Sequence, residues 1–216
     1  MYKSRFRKFG GDHIPDIVEY IKNFIDKDPT VTITVGCDSI QKRRKTTFAN
    51  TIMLYNTDIR NGAHVVFFRE SVSKIRDNQE RLFREAKYLN DIGTYLDEEL
   101  SKFYVRKDLT LDEMKRYKYH ILRCKGEYSN VICDQEDGII KNIILTDDDK
   151  VDHRLVDLHV DFNPVESTIT GKGLHKNKSN DAYKSYVPWL RGMGFRTWAK
   201  PLAHAATSAA DLLLKD

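Results

Sequence analysis

The sequence predicts an α/β fold, and three observations lead to it. Two runs rich in β-branched residues alternate at period two, and each ends in an aspartate. A long run between them carries apolar residues at helical spacing. The last stretch is a further amphipathic helix faced with small residues, which lets a helix lie close on a sheet.

Taken in order, Ile14, Ile17, Val18, Ile21, Phe24 and Ile25 recur at helical spacing after Gly10 and Gly11, with Pro15 tolerated in a first turn and Asp28-Pro29 as the stop. Residues 31–39, VTITVGCDS, follow as a strand in which Val31, Ile33, Val35 and Cys37 alternate with Thr32, Thr34, Gly36 and Asp38. An acid closing a sheet-core strand is costly to desolvate unless a cation or donors meet it, so Asp38 invites a functional reading. Residues 46–55 and 63–69 read as two more strands, joined at Asn61-Gly62, a pair suited to a hairpin turn. Three consecutive antiparallel strands are the economical arrangement.

From about residue 78 to 103 the period becomes helical, with Leu82, Ala86, Leu89, Gly93, Leu96, Leu100 and Phe103 in one stripe. At about 100° per residue Glu85 lies roughly 60° from Leu82 and points inward, whereas Glu80 and Glu98 point to solvent. Residues 104–152 read as an insertion into a single domain spanning 1–216. Within it residues 111–119 suit a short helix capped by Thr110, and 131–133 and 139–145 suit strands. His120, Cys124, Cys133 and His153 are zinc-ligand types, but their spacing matches no compact zinc motif.

Residues 156–163, VDLHVDFN, repeat the strand pattern, with Val156, Leu158, Val160 and Phe162 on one face and Asp157, His159, Asp161 and Asn163 on the other. Asp161 stands at the strand's end, where a site can open. Asp157 and His159, and an Asp161 that only caps the turn before Pro164, remain alternatives. The polar loop 163–180 contains TGKGLHKNKS, which is not a P-loop because GxxxxGK[ST] is absent. A short helix follows, capped by Ser179 or Asn180, with Ala182, Tyr183, Tyr186, Val187 and Leu190 inward, and Pro188 should kink or divide it. Residues 195–200 read as a last strand. The closing helix, 203–215, has Leu202, Ala205, Ala206, Ala209 and Leu213 on its apolar side and His204, Thr207, Ser208 and Asp211 as a polar stripe.

No apolar run approaches the ~20 residues that span a bilayer, and the opening MYKSRFRKFGG lacks a signal peptide's apolar segment, so a cytoplasmic chain with no membrane partner is expected. Three cysteines without CxxC spacing argue for reduced thiols. The net charge of +4 does not by itself announce a polyanion, and nothing in the pattern sets the oligomeric state. Local clusters say more. Lys3, Arg5, Arg7 and Lys8 open the chain; Lys42, Arg43, Arg44 and Lys45 follow the first Asp strand; Lys172, Lys176 and Lys178 follow the second. Charge runs in turns are commonly just solvated, but two of these flank the candidate site, which points to phosphate contact.

The element order is that of the ribonuclease H fold. VGCDSI, RLFRE in the long helix, HVDFNP, the GMGF turn and KPLAHAATSAAD resemble the YkuK-like family of ribonuclease H-like proteins across most of the chain outside 104–152. That resemblance implies a mixed five-stranded sheet with helices on both faces, the leading helix and insertion being additions. It also implies a metal-dependent nuclease core in which Asp38, Glu85, Asp161 and Asp211 serve as catalytic acids and metal ligands. Two Mg²⁺ or Mn²⁺ ions about 3.5–4 Å apart would activate water and stabilise the leaving oxygen at phosphorus. Lys42–Lys45, Lys172, Lys176 and Lys178 would hold RNA, RNA–DNA hybrid or DNA by its backbone, and His204 is an auxiliary candidate. Two other readings compete: a non-catalytic nucleic-acid-binding module, and an ATP-binding domain of the actin and sugar-kinase type. The latter ranks last because Ser39, Ile40 and Gln41, not glycine, follow Asp38.

Overall fold

A computed structural model describes residues 2–27, 31–56, 63–105, 132–136, 139–144, 154–170, 173–200 and 202–215. One sheet is built from Arg7–Lys8 (β1), Val31–Lys42 (β2), Lys45–Asn56 (β3), Ala63–Ser73 (β4), Asp157–Val160 (β7) and Thr197–Trp198 (β10), in the order β1-β4-β3-β2-β7-β10. β2, β3 and β4 pair antiparallel, while β7 lies parallel to β2 and β10 parallel to β7. The fold class is therefore the mixed α/β arrangement expected, with β1 as a sixth strand. β1 is too short to leave a period-two signal. Ile132–Glu136 (β5) and Ile139–Ile144 (β6) form a separate hairpin in the segment read as an insertion.

The helices are Ile17–Lys27 (α1), Asn78–Val105 (α2), Asn180–Gly192 (α3) and Asp211–Lys215 (α4), the last preceded by a π-helical turn, Ala205–Ala210. Asp16 starts α1, its Oδ1 accepting from the amides of Val18 and Glu19 at 3.0 and 3.2 Å, and Asp77 does the same for Gln79 and Glu80 at the start of α2. Such caps are each worth ~1 kcal/mol. The predicted stripe of α2 is buried as far as Leu100: Leu82, Ala86, Leu89, Leu96 and Leu100, with Ile92, enter the main core beside Val35, Cys37, Leu158 and Val160, while the side chain of Phe103 lies outside the described residues. Each such leucine contributes on the order of 1.5–3 kcal/mol on burial.

The opposite face of the sheet carries the π-turn and α4. Here Gly36 decides the packing, because a Cβ on it would stand 2.4 Å from the Ala205 carbonyl carbon. With glycine there, Ala205 lies directly on β2. Its carbonyl accepts from Thr51 Oγ1 at 2.9 Å, and its amide donates to His159 Nδ1 at 3.1 Å. Ala210, Leu213 and Leu214 complete a small second core with Ala49.

Several expectations need correction. Leu202 is exposed because it precedes the helix, which begins at His204, and Ala209 is only half-buried because the wider π-turn brings Ala210 inward instead; Ala205, Ala206 and Leu213 are buried as expected. Pro188 does not divide α3, which runs through it. Ser179 occupies the cap position of α3 without capping it; its hydroxyl accepts from the Asn163 amide at 3.0 Å instead. The loop 163–180 contains a hairpin, Ser167–Thr170 (β8) with Gly173–Lys176 (β9), and the last strand is only Thr197–Trp198. The expectations for Asp28-Pro29, Asn61-Gly62, residues 111–119, His120, Cys124 and His153 lie outside the described residues, as does the side chain of Cys133. Cys37 is a buried free thiol. Among the described residues, no helix is long and apolar enough to cross a membrane.

Candidate active site

β2 and β7 run parallel with Cys37 opposite Val160, so the next residues, Asp38 and Asp161, emerge side by side where β7 ends and β2 continues. The carboxyl ends of parallel strands are where such sheets open to ligands. A cleft of about 340 Å³ lies there, and Asp38, Glu85, Asp161, Lys176, Lys178 and Lys200 are among the residues lining it.

Alternation along β2 turns Asp38 to the face that carries α4 and Ser39 to the face that carries α2. Glu85, only 1 % exposed, meets Ser39 there: Ser39 Oγ donates to Glu85 Oε1 at 2.5 Å. Arg81, one turn earlier on α2, completes the contact. Its Nη1 lies 3.0 Å from Glu85 Oε1 and 2.6 Å from Ser39 Oγ, and its Nη2 donates to Asn78 Oδ1 at 2.9 Å. Lys200 Nζ pairs with Asp161 Oδ1 at 2.9 Å.

Burial and mutual repulsion set the electrostatics. Asp38 is pushed up to about 6, mainly by burial and next by the charge of Asp161, with Asp211 adding to the rise. Glu85 is pushed up to about 8, again by burial first and then by Asp38, against the opposing pull of Arg81 and Ser39. Asp161 is raised by burial and by Asp211, with Lys200 holding it down. Asp211, half-buried at the start of α4, thus acts on both strand acids from the α4 face to which Asp38 turns, although it does not line the cleft.

These four side chains offer only oxygen donors, and they repel one another in a partly dry setting. That donor set suits a hard divalent cation. As placed, no three acid, histidine or cysteine side chains among the described residues converge tightly enough to hold a metal ion, and Glu85 and Asp161 each face a cation of the protein. Glu85 and Asp161 can join a metal only by loosening Arg81 and Lys200.

The other candidates separate clearly. Asp157 anchors β10, accepting from Arg196 Nε at 2.8 Å and from Trp198 Nε1 at 3.1 Å. His159 is pushed down to about 3 by burial and by His204, and as a neutral acceptor it holds the Ala205 amide. Both are structural, and neither lines the cleft. His204 is exposed just before the π-turn and does not line it either. Lys176 and Lys178 are exposed at its rim, while Lys172 lies outside the described residues. Lys42, Arg43, Arg44 and Lys45 form the exposed β2–β3 turn, with Lys42 roughly 13 Å along the strand from Asp38. Lys42 Nζ donates to the Leu214 carbonyl at 3.1 Å, so it secures the end of α4, and none of the four lines the cleft. Arg81 and Lys200 were missed from the sequence. The four-residue spacing of Arg81 and Glu85 on one helix was an available signal; Lys200, beside Pro201, left none.

A family model described as Ribonuclease H-like matches residues 16–121, which include α1, β2, β3, β4 and α2. Comparison with curated proteins and with solved structures returned no match. Beyond the matched segment, β7 and β10 join the same sheet and the π-turn with α4 covers its second face, completing the mixed sheet with helices on both sides. Over the matched segment, just under half of its length, the chain is similar to the ribonuclease H-like family.

Proposed function

We propose that this protein is a divalent-metal-dependent nuclease that hydrolyses phosphodiester bonds of RNA, RNA–DNA hybrid or structured DNA. One observation carries the reading: the parallel register of β2 and β7 sets Asp38 beside Asp161 at the mouth of a cleft, with Glu85 and Asp211 coupled to them electrically. Asp38, Asp161 and Asp211 hold Mg²⁺ or Mn²⁺, with Glu85 as the fourth acid. When bound, two such ions activate an attacking water and stabilise the leaving oxygen. Asp38 touches both neighbouring acids by charge and is the least replaceable. Lys176 and Lys178 hold the phosphate backbone without reading sequence. Lys200, close to Asp161, neutralises phosphate charge once it leaves that acid.

The test is a panel of labelled single-stranded, duplex, hybrid and four-way-junction substrates with Mg²⁺ and Mn²⁺, run beside Asp38→Asn. Metal-dependent cleavage absent from the variant supports the proposal.

A second reading, a nucleic-acid-binding module without catalysis, is favoured by the two ion pairs, which neutralise Glu85 and Asp161 without a metal. It requires salt-dependent binding indifferent to Mn²⁺. Calorimetric titration with Mn²⁺ separates the two.

A further inference from the structure

Phe83 on α2 and Trp189 on α3 are large aromatic side chains left 42 % and 37 % exposed. Their ring centroids lie 6.3 Å apart. Tyr186, one turn before Trp189, links them to the interior: its ring is 5.5 Å from that of Phe83 and 6.2 Å from that of Phe162. Phe162 is buried and directly follows Asp161, while Phe83 directly follows Leu82, which lines the cleft. Phe83, Tyr186 and Trp189 therefore form one aromatic cluster, tied through buried Phe162 to the strand end that carries Asp161, and lie beside the cleft without lining it. α3 starts beside the cleft residues Lys178 and Ser179, and Trp189 lies roughly 14 Å further along its axis at about 1.5 Å per residue.

Two features of this patch point to its occupant. It is made of rings, which offer flat faces, and lysines line the cleft at one end of it. A positively charged groove continuous with exposed aromatic side chains binds single-stranded nucleic acid, the cations tracking the backbone and the bases stacking on the rings. A base within a duplex has both faces covered by its neighbours and cannot stack there.

We infer that Phe83, Tyr186 and Trp189 form a stacking subsite for unpaired bases, so that the nucleic acid taken by the cleft carries a single-stranded segment next to the phosphates held there. The inference rests on the nuclease reading of the cleft and names the substrate class of that site.

The experiment uses the full chain in EDTA with a labelled single strand, a blunt duplex of the same sequence, and that duplex with a single-stranded overhang. Binding is followed by anisotropy and by tryptophan emission, the chain having two tryptophans, Trp189 and Trp198. The single strand and the overhang bind more tightly than the blunt duplex. Phe83→Leu, which keeps apolar bulk but removes the ring, and Trp189→Ala each weaken single-strand binding by roughly 5- to 100-fold and leave blunt-duplex binding unchanged. Stacking of a base on Trp189 quenches its emission, so Trp189→Tyr keeps the affinity and loses that quench. Wild-type affinity for the single strand in Phe83→Leu and Trp189→Ala, or equal binding of single strand and blunt duplex, overturns the subsite. If either occurs while metal-dependent cleavage persists, the nuclease reading stands alone; if no oligonucleotide binds, both fall. A concentration-dependent dimer abolished by Trp189→Ala, with oligonucleotide affinity unchanged, assigns the rings to a second copy of the chain and overturns the subsite equally.

Discussion

Arg81 holds Glu85 and Ser39 together, its Nη1 standing 3.0 Å from the carboxylate and 2.6 Å from the hydroxyl. The apolar stripe of α2 forces Glu85 inward, where an ionised acid needs a counter-charge. Removing that partner strands the acid unless it takes up a proton. Arg81→Met should therefore cost ~3 kcal/mol above pH 8, where Glu85 is ionised, and less near pH 6, where it is protonated. Urea denaturation at the two pH values checks this. A loss independent of pH contradicts it.

Asp38 and Glu85 have folded pKa values above their ordinary ones, at about 6 and about 8. The folded state thus binds protons more tightly than the unfolded chain, and the contribution of these acids to stability is lost as pH rises through those values. A divalent cation reverses the effect, since it binds the ionised acids. Thermal unfolding should show Mn²⁺ raising Tm more at pH 8 than at pH 5.5. An equal shift at both, or none, counts against metal binding by these acids.

Gly36→Ala should push the π-turn off the sheet, because the added Cβ meets backbone atoms of Ala205 that cannot rotate away. A loss of ~1–3 kcal/mol is expected from overpacking alone. Asp211 follows that turn, so Mn²⁺ affinity should fall as well. Unchanged metal affinity in a folded Gly36→Ala protein would show that Asp211 does not contribute.

Lys176→Gln with Lys178→Gln should weaken nucleic-acid binding at low salt and lower the slope of log affinity against log salt by roughly 1.5–2, as the loss of two phosphate contacts requires. The same substitutions at Lys42 and Arg43 should change the slope less, because that turn stands away from the cleft. Filter binding across a salt series reads both.

How much of this was legible beforehand depended on the range of the interactions involved. Local alternation marked β2 and β7, and the aspartates ending their apolar runs marked the site, because period and burial are properties of neighbouring residues. The stripe of α2 singled out Glu85 for the same reason. The closing helix was legible at Ala205, Ala206 and Leu213, which are buried, but not at Ala210, because its π-turn lies over Gly36, a contact between residues far apart in the chain. Asp157 and His159 stayed ambiguous for a similar cause: Arg196, Trp198 and the Ala205 amide, which occupy them, come from later elements. Lys200 reaches Asp161 only once the sheet has formed.

The most direct measurement is cleavage by Asp38→Asn against wild type, in Mg²⁺ and in Mn²⁺, with the melting temperature of each. Replacing this buried, repelled acid by its neutral isostere should leave Tm unchanged or raised while metal-dependent cleavage disappears. Equal cleavage by the two proteins, once contaminating nucleases are removed, would contradict the central claim that Asp38 and Asp161 form the core of a metal-dependent nuclease site.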